Sequence, residues 1–332
     1  MMGRLKVIAN ALTFAQDGWG APGIGFGRQG QDDPAVIQSI YLRNSFCSLF
    51  TARQHNPDAD ILLIHTQSFD PAYEKNFINA GIELMRVPFS TFRVPETFKW
   101  KAAYYKLDAL QWLSRHYEQV LMLDTDTVCV APAQDIWEEA ADRVLLYETG
   151  HRISFPRRRA INEFGELITG APSRCPHYGG EAIAGSAPAL DRFLAHCLEI
   201  HEAMKAHWDY FADRDPSGDE LIKSLAAGRM PESIGTMNPY VERYWTDPFG
   251  FNLVSTNYKF NPVDIWHLPA EKQRGMLELY DILTRPGVFP SRAELARIVH
   301  LELPPLKRLT NYLRGVERQF RHRNRPIPTP CE

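Results

Sequence analysis

The chain has 332 residues, of which 44% are hydrophobic and 23% charged, and its formal net charge is −3. That balance is typical of a soluble globular protein, and the length suits one large domain or two modest ones. The near-neutral charge excludes a molecule built as a whole to hold nucleic acid, so any basic surface must be local.

Five cysteines (Cys47, Cys129, Cys175, Cys197 and Cys331) are scattered without a Cys-x-x-Cys pair. This speaks against a zinc site or a disulfide framework and fits a reducing compartment. The first seven residues contain no long apolar stretch of the signal-peptide kind. No segment approaches the roughly 18 apolar residues of a membrane span. There is no internal repeat.

In chain order, Leu5–Phe14 reads as a first strand. The glycine-rich stretch Asp17–Gly30 follows. Gly18, Gly20 and Gly23 have Gly-x-Gly-x-x-Gly spacing, but Pro22 and the further glycines prevent the helix that a dinucleotide cradle must open. The stretch reads instead as a loop or lid over a site. Pro34–Arg53 is predicted helical, Ala59–His65 a buried strand, Asp70–Ala80 a helix stopped by Gly81, and Ile82–Val87 a short strand. This alternation predicts an α/β fold with a mixed, mostly parallel sheet flanked by helices.

Thr97–His116 is the next predicted helix, with Tyr105, Ala109, Trp112 and Leu113 as its apolar stripe and Lys101, Lys106 and Asp108 off the stripe, where helix charges are ordinarily solvated. The apolar run from Val120 to Val130 follows, interrupted by Asp124 and Asp126. Read as one strand, the run points both carboxylates the same way, at a strand's carboxyl end, where ligands of open α/β sheets gather. Paired buried acids require a positive partner, and a hard divalent cation such as magnesium or manganese takes oxygen ligands. The plain alternative is an Asp-Thr-Asp turn at a strand end.

The block Lys106–Leu113 followed by Tyr117–Val128, with its Leu-Asp-x-Asp-Thr, resembles nucleotide-sugar glycosyltransferases of the GT-A (Rossmann-like) fold, and within them the glycogenin and lipopolysaccharide galactosyltransferase group. The resemblance implies that Asp124 and Asp126 hold Mn2+ or Mg2+ on a sugar-nucleotide diphosphate, that Asp124 also touches the ribose, and that Lys106 contacts donor sugar or phosphate. Looser likenesses follow in the family's order. His177–Ser186, with Gly179 and Gly180, resembles the segment that brings backbone close to the donor sugar; a bulged strand is the alternative. Asp219 and Glu220 open a helix as the family's acids facing the reacting sugar do, although an acid in a first turn also suits the helix dipole. Val263–Lys272 resembles the late strand ending in a metal-binding histidine, here His267, followed by a phosphate-binding lysine. The family's intervening glycine is absent and Lys272 comes one residue early, which leaves Arg274 as a second candidate. The aromatic segment Tyr240–Phe249 reads as a packed loop or a sugar-stacking surface.

From Leu306 to Phe320 apolar residues keep helical spacing, and between Lys307 and Arg325 lie seven cations against one acid, Glu317. A basic amphipathic helix of this kind meets anionic lipid or packs on the domain. The expected division is a catalytic domain over 1–270 and a basic helical extension over 271–332, cytoplasmic or peripheral at the inner membrane face. The resemblance thus implies a metal-dependent hexosyltransferase moving sugar from a UDP-sugar to a hydroxyl of a glycan, glycolipid or protein, with retention, and no nucleic-acid partner. The rivals are a sugar-1-phosphate nucleotidylyltransferase using Gly23–Arg28 as its phosphate loop, and a non-catalytic sugar-nucleotide-binding module.

Overall fold

The computed structural model describes residues 4–14, 33–98, 100–149, 155–170, 176–212, 218–246 and 256–302, with residues 310 and 313. The glycine-rich stretch at 17–30, residues 247–249 of the aromatic segment and nearly all of the basic tail lie outside the described residues.

In chain order the elements are β1 (Arg4–Leu12), α1 (Pro34–His55), β2 (Asp60–His65), α2 (Pro71–Asn79), β3 (Glu83–Arg86), a 3-10 turn at Lys101–Tyr104, α3 (Tyr105–Ser114), β4 (Tyr117–Leu123), β5 (Thr127–Cys129), α4 (Gln134–Glu139), β6 (Val144–Glu148) and α5 (Phe155–Thr169). There follow β7 (Tyr178–Ser186), α6 (Ala187–Lys205), α7 (Trp208–Ala212), α8 (Asp219–Arg229), β8 (Ile234–Thr236), β9 (Val241–Arg243), β10 (Ile265–His267), α9 (Gly275–Leu283) and α10 (Arg292–Ile298).

Local signals set the early boundaries. Asp33 and Asp70 each accept a hydrogen bond from a backbone N–H two residues on, and proline follows each as the first helical residue. Gly81 ends α2 with φ 70°. There Gly81 N–H donates to the Ile78 carbonyl and Ile82 N–H to that of Phe77, a Schellman arrangement sealed by the buried Phe77 and Ile82.

Seven strands form one sheet in the order β3-β2-β1-β4-β7-β6-β8. All pairings are parallel except those of β7, which runs antiparallel to β4 and β6. This is the mixed, mostly parallel α/β sheet expected from the alternation of elements. Both faces are covered. Ile8, Ile61, Leu63 and Leu121 join one core with α1 and α9, while Val7, Ala9, Leu62, Val120 and Met122 join the other with α3, α6 and α8. Continuous apolar strands are what two buried faces require.

A second sheet, β5-β10-β9, packs on the α1 side through the fully buried Trp266. It exists because the run Val120–Val130 is not one strand. The structure corrects that expectation: β4 ends at Leu123, residues 124–126 turn, and β5 enters the small sheet. Asn10 Nδ2 donates to the Leu123 carbonyl at 3.0 Å, Thr127 Oγ1 to that of Asp124 at 2.9 Å, and Ser48 Oγ meets Thr127 Oγ1 at 2.7 Å. These buried side chains supply the bonds that a continuing ladder would have made.

The helix expected from Thr97 begins at Tyr105, behind the 3-10 turn. Two of its charges are buried rather than solvated. Asp108 accepts backbone N–H bonds from Ser90, Thr91 and Phe92, and Lys101 pairs with Glu96 at 2.6 Å. The three described cysteines (Cys47, Cys129 and Cys197) are free and buried. Burial pushes the Cys129 thiol up to about 12 and those of Cys47 and Cys197 upward, so all three are inert thiols at neutral pH. Among the described residues no helix is long and apolar enough to cross a membrane.

Candidate metal and donor site

The site lies where the two sheets diverge. The backbone N–H of Asp124 still bonds the Glu181 carbonyl of β7 at 2.7 Å, whereas the Asp126 carbonyl accepts the Leu268 N–H at 2.9 Å. The chain thus hands one acid to each sheet. In the small sheet His267 stands opposite Thr127 on one side and Arg243 on the other. That register brings its ring to the acids.

One ligand atom each of Asp124, Asp126 and His267 can be chosen so that all lie within 4.8 Å of one another. His267 Nε2 is 3.1 Å from Asp126 Oδ2 and 3.9 Å from Asp124 Oδ2. Asp126 is fully buried, yet neither of its carboxylate oxygens and neither ring nitrogen of His267 makes an aligned hydrogen bond. Buried polar atoms are ordinarily bonded, so these form a donor set with its partner still to come. Two carboxylates and one imidazole suit Mn2+ or Mg2+, with coordination positions left over for phosphate oxygens. The residues present therefore fit a divalent cation.

Two lysines flank the acids. Lys106 Nζ lies 3.3 Å from Asp124 Oδ1 and donates to the Gly180 carbonyl at 3.0 Å; Lys272 Nζ lies 3.2 Å from Asp126 Oδ2. Burial alone would raise the Asp126 pKa, but the charges of Lys272 and His267 outweigh it and hold the carboxyl well below the usual carboxylate range. Burial would lower both lysines, but Asp126 acting on Lys272, and Asp124 with Asp219 acting on Lys106, push each up. The site is therefore a set of ionised groups, with two fixed ammonium charges beside a cation position.

Lys272 is placed by α1. Asn44 Nδ2 donates to its carbonyl at 3.0 Å, and the Tyr41 ring lies 5.8 Å from its ammonium. Arg274, the second candidate for phosphate, turns to Glu271 at 2.7 Å and to the Ala270 carbonyl at 3.2 Å. Of these two candidates it is Lys272 that reaches Asp126 in the described ion pairs.

The acids at the start of α8 have separate surroundings. Asp219 is buried and paired with Lys223 at 2.7 Å, and Lys223 also donates to the Gly179 carbonyl at 3.0 Å. The N-cap residue is Gly218, with φ 65°, so no side chain caps the helix at that position. Glu220 instead bonds His177 Nε2 through Oε2 at 2.9 Å. Its other oxygen borders Gly180. A Cβ built at Gly180 would stand 3.3 Å from Lys106 Nζ and 3.8 Å from Glu220 Oε1. Gly180 thus keeps open a floor between a cation and a carboxylate. Gly180→Val is expected to lower turnover about 10²-fold through misplaced Lys106, with the thermal midpoint nearly unchanged; steady-state kinetics beside a melting curve check this.

Asn10, Ser48, His177, Glu181 and Arg243 shape the site but are given no role in the sequence reading. Glu181 alone carries a signal, as a lone acid in an otherwise apolar strand.

No protein-family model matches this chain, and no curated protein matches its sequence. Solved structures do. The chain is similar to mouse xyloside xylosyltransferase 1 at 10% identity and a TM-score of 0.47, over 79% of this chain and 97% of that one. It is similar to the galactosyltransferase LgtC, solved with donor and acceptor sugar analogs, at 13% identity and a TM-score of 0.49, over 88% and 99%. It is also similar to the bifunctional glycosyltransferase WbbM at 11% identity and a TM-score of 0.49, over 95% of this chain and 52% of that one.

Proposed function

We propose that the chain is a glycosyltransferase that moves a hexose from a UDP-sugar to a hydroxyl of a glycan, glycolipid or protein, with Mn2+ or Mg2+ held by Asp124, Asp126 and His267. The observation that carries this reading is the convergence of those three side chains between two lysines, with Asp126 and His267 buried and without an aligned hydrogen bond. Such a site has the charges to bind a diphosphate.

When bound, the cation supplies Lewis-acid stabilisation of charge growing on the departing diphosphate. Lys272 adds a fixed positive charge on the Asp126 side, held ionised by that carboxylate. Lys106 stands between Asp124 and the Gly180 carbonyl, where it orients the donor sugar or its phosphate. Glu220, rather than Asp219, faces the reacting sugar in this reading, because Asp219 is engaged by Lys223 while Glu220 borders the open floor at Gly180. With retention, Glu220 stabilises positive charge developing at the anomeric carbon; with inversion it would take the acceptor proton.

Incubation with a panel of UDP-sugars and Mn2+ tests the proposal. UDP release that stops on chelation, with product retaining the donor's anomeric configuration by NMR, is expected. Pyrophosphate release from UTP plus a sugar phosphate would favour a nucleotidylyltransferase, and tight binding without turnover a binding module. We propose in addition that the protein is cytoplasmic and that the basic segment 306–325 holds it to anionic lipid at the inner face of a membrane. Removing that segment is expected to abolish co-sedimentation with phosphatidylserine vesicles; equal pelleting of the truncated chain contradicts this role.

A further inference from the structure

Glu181 is a carboxylate with no exposure at all, in a strand whose interior is otherwise apolar or glycine. A fully buried acid without compensation is strongly destabilising, so its partners show what it is for. It has two. Arg243 forms an ion pair with its Oε1, and His267 Nδ1 lies 3.5 Å from the same oxygen. The backbone leaves room for this arrangement: a Cβ at Gly179 would stand 2.0 Å from Glu181 Oε2 and 3.0 Å from an Arg243 nitrogen. Only glycine lets the carboxylate fold back over the strand.

The three residues come from different places. Glu181 belongs to β7 of the large sheet, Arg243 to β9 and His267 to β10 of the small one, with Arg243 and His267 cross-strand neighbours. The Glu181–Arg243 pair therefore ties the two sheets together on the far side of the His267 ring from the acids. Glu181 also carries, through its backbone carbonyl, the N–H of Asp124.

Resting on the metal reading above, we propose that Glu181, held by Arg243, is a positioning residue: its charge, 3.5 Å behind Nδ1 of His267, favours the proton on that nitrogen and so leaves Nε2 free to face Asp124 and Asp126. A carboxylate behind a ligating imidazole sets its tautomer and raises its basicity, and losing such a partner weakens metal binding by about 10- to 100-fold. The Arg243 guanidinium supplies the opposite charge that a carboxylate without exposure needs, reaching it from the strand next to that of His267.

The test uses the full chain and Mn2+ alone, followed by titration calorimetry, with nitrogen NMR of the imidazole as a second readout. Wild type is expected to bind Mn2+, Asp126→Ala to lose that binding, and Glu181→Gln to bind about 10- to 100-fold more weakly. Because Glu181→Gln leaves Arg243 facing a neutral partner, Glu181→Gln/Arg243→Met is measured beside it. A merely structural bridge would recover native Mn2+ affinity once the double variant is as stable as wild type; a positioning role keeps the affinity low. In metal-free wild type a proton on Nδ1 of His267 is expected, and a ring protonated on Nε2 alone overturns the inference whether or not any variant folds. Native affinity in the double variant, with binding still lost in Asp126→Ala, overturns the inference alone. A wild type that binds no Mn2+ overturns the metal reading and the inference with it.

Discussion

Asp126→Asn will lower sugar transfer by roughly 10²–10³-fold, the effect of removing one preorganised group that stabilises transition-state charge. Asparagine keeps the shape and removes the charge. In the native site Asp126 is ionised despite complete burial, because Lys272 and His267 face it. Neutralising it leaves two cationic groups around the metal position and weakens the hold on a divalent ion at the same stroke. The loss should fall on kcat and on Mn2+ affinity together, and raising Mn2+ should recover part of it. Steady-state kinetics across a Mn2+ series is the measurement; a variant with full activity at low Mn2+ would remove Asp126 from the metal shell. Lys272 will behave differently. Its charge acts without the metal, so Lys272→Met should lower activity at every Mn2+ concentration.

The second large effect is on stability. Glu271 is fully buried and joins four groups: Arg274 at 2.7 Å, His300 Nδ1 at 2.7 Å, Gly275 N–H at 3.0 Å, and the Thr246 hydroxyl. It fastens the segment after Lys272 to the end of α10. Gly275 sits at the crossing, where a Cβ would be 2.7 Å from Val299 Cα. Glu271→Ala is expected to destabilise the protein by about 2–4 kcal/mol, below the figure for a fully buried pair because Arg274 and His300 are partly solvated. Burial would raise the Glu271 pKa; His300, Arg274 and Thr246 outweigh it and lower it. A depressed folded pKa gives stability that is complete above the unfolded value and lost as pH falls through the folded one. Urea unfolding from pH 7 down to below 4.5 should show that loss in wild type and a flatter profile in Glu271→Gln. Equal slopes would show that Glu271 does not carry the acid sensitivity.

What the sequence made legible follows from local physics. Apolar runs marked β1, β2 and β4 as strands, the last two as buried ones, and Gly81 marked the end of α2, because those signals lie within a few residues of what they control. The acid pair stood out because charge in an apolar run is conspicuous, whereas His267 was reached only through the resemblance in motif order. The bend at Asp124–Asp126 was not legible, since Asn10 and Ser48, far away in the chain, bond the turning backbone. The burial of Lys101 and Asp108 is likewise invisible in the sequence, because their partners lie in the loop 90–96, which has no periodicity to announce it. Sequence also could not separate Asp219 from Glu220. Only the fold puts Lys223 against one and His177 against the other. The Glu181–Arg243 pair, joining two sheets, belongs to the same class of long-range fact.

The central claim is that Asp124, Asp126 and His267 grip a divalent ion that in turn holds the diphosphate of a sugar nucleotide. A crystal structure of the protein grown with Mn2+ and UDP tests it most directly. Anomalous density for manganese bonded to those three side chains and to diphosphate oxygens, with Lys272 within reach of the phosphate, is the predicted result. UDP bound with manganese absent from that position, or coordinated without Asp126, would contradict it.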